Sequence, residues 1–352
     1  MSDVAVNAKR RWILIPWGAF IALILGWSVW WMIGAHQIGA QLDSQTKSWR
    51  AAGWTVSWAH RSVSGYPFRF FVQADQVQIK EPDGWGVSTP KLQAETSAIT
   101  PGIIVLVADQ NIVLSRPGAA PLTISGDVLR MSLGGLSKSP PRIAVEGKNL
   151  RLVPATGGAV AFSVIDRFEA RLTPDAGDTA RVFFRIDKAT PSDGGALARI
   201  AAGKQVTVDI EGALSHASSL RGASWSGLLD HWKTSGGRLD LAQGGVLTGD
   251  DVLVQLAPSA ISLDDQGYLL GALDLQAGRI GDAMQALSAI AVLPGPTAAV
   301  ASGLAAGQPA LPAGAVAETK LEFHEAQTWL GTSALGEAPR IAQPPAAPAR
   351  RN

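Results

Sequence analysis

The sequence predicts a mainly β protein: one long, twisted and curled antiparallel sheet with a few short helices, preceded by a single N-terminal transmembrane helix. Three observations predict it. Short runs of alternating apolar and polar residues recur from about residue 54 onward, the pattern of strands with one buried face. The chain holds 38 glycines and 21 prolines, a composition suited to frequent turns. Residues 12–33 contain no charged side chain.

That charge-free run comes first. It has the length, about 20 residues, that a helix needs to cross the hydrocarbon core. Trp12 and Trp17 stand at its start, and Trp27, Trp30 and Trp31 toward its end, where amphipathic rings settle at the headgroup level. Pro16 falls in the first turn, where its missing N–H costs little. Lys9, Arg10 and Arg11 precede the run, whereas uncharged His36 and Gln37 follow it. The positive-inside rule therefore puts residues 1–11 in the cytoplasm, residues 12–33 across the inner membrane, and the remainder in the periplasm. A cleaved signal peptide is the competing reading. Its apolar core would run about 7–15 residues and end in an A-x-A-like site. Here the run is longer, ends in Trp-Trp-Met, and offers only Gly34-Ala35-His36 and Ile38-Gly39-Ala40 as poor cleavage sequences.

The exported body is expected over residues 41–335. Residues 41–61 read as a short helix or linker leading into a strand in which Trp54, Val56 and Trp58 alternate. Gly65-Tyr66-Pro67-Phe68-Arg69-Phe70 opens a turn and enters the next strand, with Pro67 at the strand entrance because it cannot donate to a ladder. Further strands follow from Leu122/Ile124, Ile143/Val145, Val160/Phe162/Val164, Phe168/Ala170/Leu172, Val182/Phe184/Ile186 and Val206/Val208/Ile210. Asp166 breaks the alternation and suggests a bulge. Two hairpins with Gly-bearing turns are expected, Leu239–Leu247 around Gln243-Gly244-Gly245 and Ile261–Leu269 around Asp265-Gln266-Gly267. Helical spacing marks 223–233, 282–293 and 298–306, which would cap the sheet near its C-terminal end. Residues 336–352, rich in Pro and Ala, are expected to be a disordered tail.

Composition excludes several functions. Basic and acidic residues nearly balance, 30 against 29, and no cationic stripe lies outside the N-terminus, so nucleic acid is not an expected partner. The chain has no cysteine, which rules out disulfides and thiolate chemistry. Ala202-Gly203-Lys204-Gln205 is not a Walker loop, and the five histidines show no metal-ligand spacing. Ser224 and Ser226 lie in Gly-Ala-Ser-Trp-Ser-Gly, which misses the nucleophile-elbow spacing and reads as a helix start capped by Ser224. Asp250-Asp251 and Asp264-Asp265 read as solvated turn residues. No catalytic residue, metal site or cofactor is expected.

The anchor, the Trp-rich segment with Trp54 and Trp58, the element Ser64-Gly65-Tyr66-Pro67-Phe68-Arg69 and the late segment Leu263-Asp264-Asp265-Gln266-Gly267 together resemble the bacterial family known as domain of unknown function 2125. The late hairpins are also loosely similar to AsmA-like envelope proteins. Neither likeness implies a catalytic activity. The anchor, the alternating strands and the lack of a catalytic motif together lead to the expectation of a membrane-anchored, non-enzymatic periplasmic protein that binds lipid or another apolar ligand, or scaffolds envelope assembly. The alternative is a module that holds an envelope protein partner, and an exported hydrolase is a remote one. Phe70, Phe162, Phe184 and Ile186 are candidates for the lining of an apolar groove, with an ordinary closed core as the alternative, and Gly65, Tyr66, Pro67, Phe68 and Arg69 form the family motif.

Overall fold

The structure is a computed structural model. It describes residues 4–222, 224–306 and 316–341, with side chains from Pro16 onward. One helix, α1 (Val4–Ala51), opens the chain. It passes through Pro16 without a break, since a proline near the helix start removes little hydrogen bonding. It also continues 18 residues past Ile33, so of the short helix or linker expected from residue 41 the helix is found, as an unbroken extension of the apolar one. The reason is that its last turns pack on the body. Arg50 donates through Nε and Nη2 to Val56 O at 2.9 and 2.6 Å, and Trp49 stacks on Trp54 with centroids 5.9 Å apart.

The first half of the body is β1 (Thr55–Ser57), β2 (Arg61–Ser64), β3 (Arg69–Lys80), β4 (Gly86–Ser97), β5 (Ile103–Ala108), β6 (Asn111–Arg116), β7 (Ala119–Ser125), β8 (Val128–Gly134) and β9 (Arg142–Pro154). Next come β10 (Phe162–Pro174), β11 (Thr179–Pro191), α2 (Ala196–Ala201), β12 (Val206–Ser215) and α3 (Trp225–Thr234). The chain then forms β13 (Arg238–Thr248), β14 (Asp251–Leu256), β15 (Ser259–Leu263) and β16 (Leu269–Ala277). It ends with α4 (Ile280–Ala289), α5 (Gly295–Ala306), β17 (Ala317–His324), β18 (Gln327–Leu330) and β19 (Ser333–Glu337).

All of these strands belong to one sheet, and their recorded pairings are antiparallel. Most strands pair with their sequence neighbours. Two places depart from that order in the same way. β4 pairs with β5 along one part and β6 along another, and β9 likewise takes β8 and β7. Farther on, β13 pairs with both β14 and β15, which β16 joins again. A hairpin is thus set end to end with its neighbour, so long strands flank pairs of short ones.

Two expectations change. Leu239–Leu247 is no hairpin but the interior of β13. Its glycines serve close approach between strands: a Cβ on Gly244 would meet Asp209 O at 3.0 Å, and one on Gly245 would meet Val254 O at 3.0 Å. The tail expected from residue 336 starts later as well. Gly336 and Glu337 finish β19, Ala338 is buried, and Arg340 bridges to Tyr268. Residues 342–352 lie outside the described residues. The hairpin at Ile261–Leu269 is kept, its turn closed by Gly267 N–H to Asp264 O at 3.0 Å. At Asp166 itself the register holds; β10 shifts register earlier, between Phe162 and Val164, and in the flanking strands Asn149 and Lys188 take left-handed φ of 51° and 50°.

The buried core lies in the C-terminal half. Leu275, Leu321, Phe323, Met284 and Leu287 form its centre, with α4 over β14, α5 over β19 and α2 bridging β11 to α4. No buried residue of this cluster comes from β3–β8.

Candidate functional site

Two features converge where the sheet meets α1. The first is a joint between the apolar helix and the Gly65–Phe70 turn. Gly65 adopts φ +101°, and a Cβ there would lie 2.7 Å from Arg69 O, so this turn requires glycine. Arg69 N–H closes it on Gly65 O at 3.1 Å. The turn then docks on α1 through three tryptophans and a serine. Trp27 Nε1 donates to Pro67 O at 2.9 Å, and Trp31 Nε1 donates to Arg69 O at 3.0 Å. Tyr66 Oη and Ser28 Oγ share a hydrogen bond of 2.8 Å. Phe70 stacks on Trp31 at 5.5 Å, with Trp30 at 6.2 Å, and is buried. Gly34 makes room for it: a Cβ there would sit 2.7 Å from Phe70 Cζ.

Farther along the helix, Arg61 binds both oxygens of Asp43, at 2.7 and 3.0 Å. This pairing holds the Asp43 carboxyl below its ordinary range and the Arg61 guanidinium above its own. Trp27, Trp30 and Trp31, expected as an interfacial belt, thus also hold the body to the helix. Their partners stand about 40 positions away, and no local pattern shows them. Trp17 is exposed on the apolar run, and the side chain of Trp12 lies outside the described residues.

The second feature is a continuous apolar face. The register aligns Val72, Ala94, Leu106, Met131, Val145, Ala170, Phe184 and Ile210 across eight strands from β3 to β12. At 4.7–4.9 Å per strand this row spans about 34 Å. A parallel row runs from Phe70 through Thr96, Ile104, Leu133, Ile143 and Leu172 to Val182. Apart from Phe70, these side chains are half-buried. The rows thus begin at the α1 joint and end at the closed core. Of the expected groove residues, Phe184 lies on this face, edge-to-face with Phe168 at 5.6 Å. Phe162 and Ile186 are corrections: both are buried in the closed core, and Phe70 is buried beneath α1. Sequence alternation puts a side chain on a face and says nothing about the cover over it.

The opposite face is polar in its middle. Gln93, Val107, Arg130, Glu146, Glu169, Arg185 and Asp209 align across the same strands. Glu169 is buried between Arg167 and Arg171, and Arg130 pairs with Glu146. Burial pushes the Asp209 carboxyl up, against the opposing pull of Arg185. The cross-strand pairs Arg130–Glu146, Glu169–Arg185 and Arg185–Asp209 oppose unlike charges, while Glu146 faces Glu169 and is offset by the arginines that flank each of them.

Reactive side chains are dispersed. Ser224 Oγ accepts the Gly227 N–H at 3.1 Å, as a helix cap does, and shares a hydrogen bond with Ser226 Oγ. His231 Nδ1 pairs with Gly227 O. Asp251 pairs with Lys204, and Asp264 Oδ1 accepts from the amides of its own turn. Among the described residues no group of three or more His, Cys, Asp or Glu is placed to hold a metal ion.

Helix, docked turn and half-covered sheet define a β-rich body with one helix long and apolar enough to cross a membrane. The chain belongs to the family described as an uncharacterized protein conserved in bacteria, domain of unknown function 2125, whose model matches residues 31–339. The match takes in Trp31, the Gly65–Arg69 motif and the whole sheet. No curated protein and no solved structure matches the chain.

Proposed function

We propose that this protein is held in the inner membrane by α1, with its N-terminus in the cytoplasm and its β body in the periplasm. On this reading the body is not an enzyme. It carries lipid or another apolar ligand on the half-buried face of β3–β12. The observation that carries the reading is that face: two apolar rows, one about 34 Å long, leading away from the membrane helix. Each CH₂ that leaves water against it is worth about 0.8 kcal/mol. A face of that length spans more than one bilayer leaflet, half of a roughly 30 Å hydrocarbon core.

The contacts that α1 makes with the body support the anchor over a cleaved signal. Cleavage after Ala35 or Ala40 would remove Trp27, Trp30 and Trp31, stripping the stacked ring from Phe70 and the indole donors from Pro67 and Arg69. Lys9, Arg10 and Arg11 before the run support the orientation.

The test places the full chain in nanodiscs containing a phospholipid with a photoreactive acyl chain, and maps crosslinked peptides by mass spectrometry. Adducts on β5, β8 and β9, lost on Leu106→Arg, are the expected result. Adducts confined to α1 would overturn ligand carriage on the sheet.

A further inference from the structure

An exposed apolar rim surrounds the docked turn, and its height on α1 is set by hydrogen bonds. Phe68 is 65% exposed and Tyr66 50% exposed. Ala98 N–H donates to Phe68 O at 2.9 Å, which puts the β4–β5 turn beside it, and there Ile99 and Ile103 are 65% and 57% exposed. Gly135 N–H reaches Gly102 O at 3.4 Å, bringing the β8–β9 turn alongside with Leu136 at 56%. Three consecutive turns at one end of the sheet thus present bulky apolar side chains to the outside. Scattered surface apolar residues are ordinary, but a contiguous set of this kind marks an interaction surface.

The occupant follows from the register of the joint. Trp27 holds Pro67, the residue before Phe68, and Trp27 lies six residues inside Ile33, the end of the segment read as membrane-spanning. At 1.5 Å per residue that is about 9 Å inside the segment. A body fixed at that level brings Phe68 into the zone where interfacial apolar groups settle, about 5–10 Å into the headgroup and acyl boundary. Lys138 and Arg142, exposed beside Leu136, lie within reach of lipid phosphates.

We propose that Tyr66, Phe68, Ile99, Ile103 and Leu136 form a second membrane contact, dipping into the leaflet from which α1 emerges. This rests on the anchor reading of α1. The rim fixes the tilt of the sheet over the bilayer and opens the apolar row that starts at Phe70, at Ile104 and Leu133, onto the acyl layer.

Because the chain has no cysteine, single cysteines introduced into the full-length protein report depth without background. The protein is reconstituted in vesicles of phosphatidylethanolamine and phosphatidylglycerol, and an environment-sensitive dye is attached at Ile99→Cys, Leu136→Cys, Leu25→Cys or Thr156→Cys. Lipids with a quencher high on the acyl chain then report contact. All four sites are at exposed positions, so folding is preserved, and near-ultraviolet circular dichroism checks it. Dyes at 99 and 136 are expected to lose about half their emission, as for groups 5–10 Å into the boundary, while the dye at 156 is unaffected. Quenching at Leu25 without quenching at 99 and 136 overturns the rim and leaves the anchor standing. A blue shift at 99 and 136 without quenching overturns it in favour of a protein partner. Failure to quench Leu25 overturns the anchor and the rim together.

Discussion

The two halves of the sheet share one alternation pattern and differ in what lies over it. In β13–β19, Leu275, Leu321, Phe323, Met284 and Leu287 are each at most 1% exposed, because α4 and α5 fold back across that face. In β3–β8 the corresponding Leu106, Met131, Ile104 and Leu133 keep part of their surface open. Stability therefore resides in the second half, while the first half keeps apolar surface in reserve. Truncation tests this most strongly. Leu275→Ala is expected to cost about 3–4 kcal/mol, the range for a fully enclosed leucine, and Leu106→Ala about 1 kcal/mol. Chemical denaturation of the full chain in mild detergent reads both. Equal losses would mean that the N-terminal face is closed, and the carrier reading would fail with it.

At one corner of the first half, α1 supplies the cover that α4 and α5 supply in the second. Gly34→Leu attacks that corner, because its Cβ would already overlap the Phe70 ring. Overpacking of this kind costs about 1–3 kcal/mol, which exceeds the gain of about 1 kcal/mol from replacing a helical glycine. Amide exchange at residues 65–70 is the direct readout and should quicken, with the C-terminal core unaffected. If exchange in the core quickens equally, the two halves are one cooperative unit and the contrast between them is only one of exposure.

Where the halves meet, the polar face carries Glu169 between Arg167 and Arg171. Glu169→Gln keeps the shape and removes the charge that three arginines, Arg185 included, share across the strands. The arginines are half-exposed, so solvent screening limits the loss to about 1 kcal/mol. A thermal melt at low and high salt checks it: the deficit should shrink as salt rises.

How much of this was legible depends on the distance over which each feature is built. Alternation at Val182, Phe184 and Ile186 identified a strand, and Ser224 before an apolar stripe identified a helix start. Both signals lie within a few residues of what they specify. Gly244 and Gly245 misled, because glycine at a turn and glycine at a close strand contact look alike in sequence; only the neighbours Asp209 and Val254 separate them. Phe162 and Ile186 alternate as strand residues do, but they belong to a core cluster that also draws on Met284, Leu287, Leu321 and Phe323, more than 90 residues away in sequence. Trp27 and Trp31 were legible as interfacial rings, and their second role waited on a turn some 40 residues later. The family motif pointed to that turn without saying that it docks on the helix.

Asp209 offers the finest test of the comparison, since it stands on β12 where the half-open rows give way to the core. Its carboxyl titrates above the ordinary range chiefly because of burial, with Arg185 opposing and Glu211 and Asp187 adding to the shift. A raised carboxyl pKa in the folded state means that the folded chain takes up this proton before the unfolded chain does as pH falls. The charged form is thus a burden at neutral pH, and this one contribution to stability improves as pH drops through the raised value toward the ordinary one. Asp209→Asn removes the burden. It is expected to raise stability at pH 7 by a few tenths of a kcal/mol, a small gain because the site is partly solvated and the attraction of Arg185, itself paired with Asp187, is lost. The gain should vanish near pH 4. Parallel denaturation curves at pH 7 and pH 4 decide it: a variant less stable than the parent at pH 7 would mean that the pairing with Arg185 outweighs burial, and that the polar face, like the core beneath it, holds the second half together.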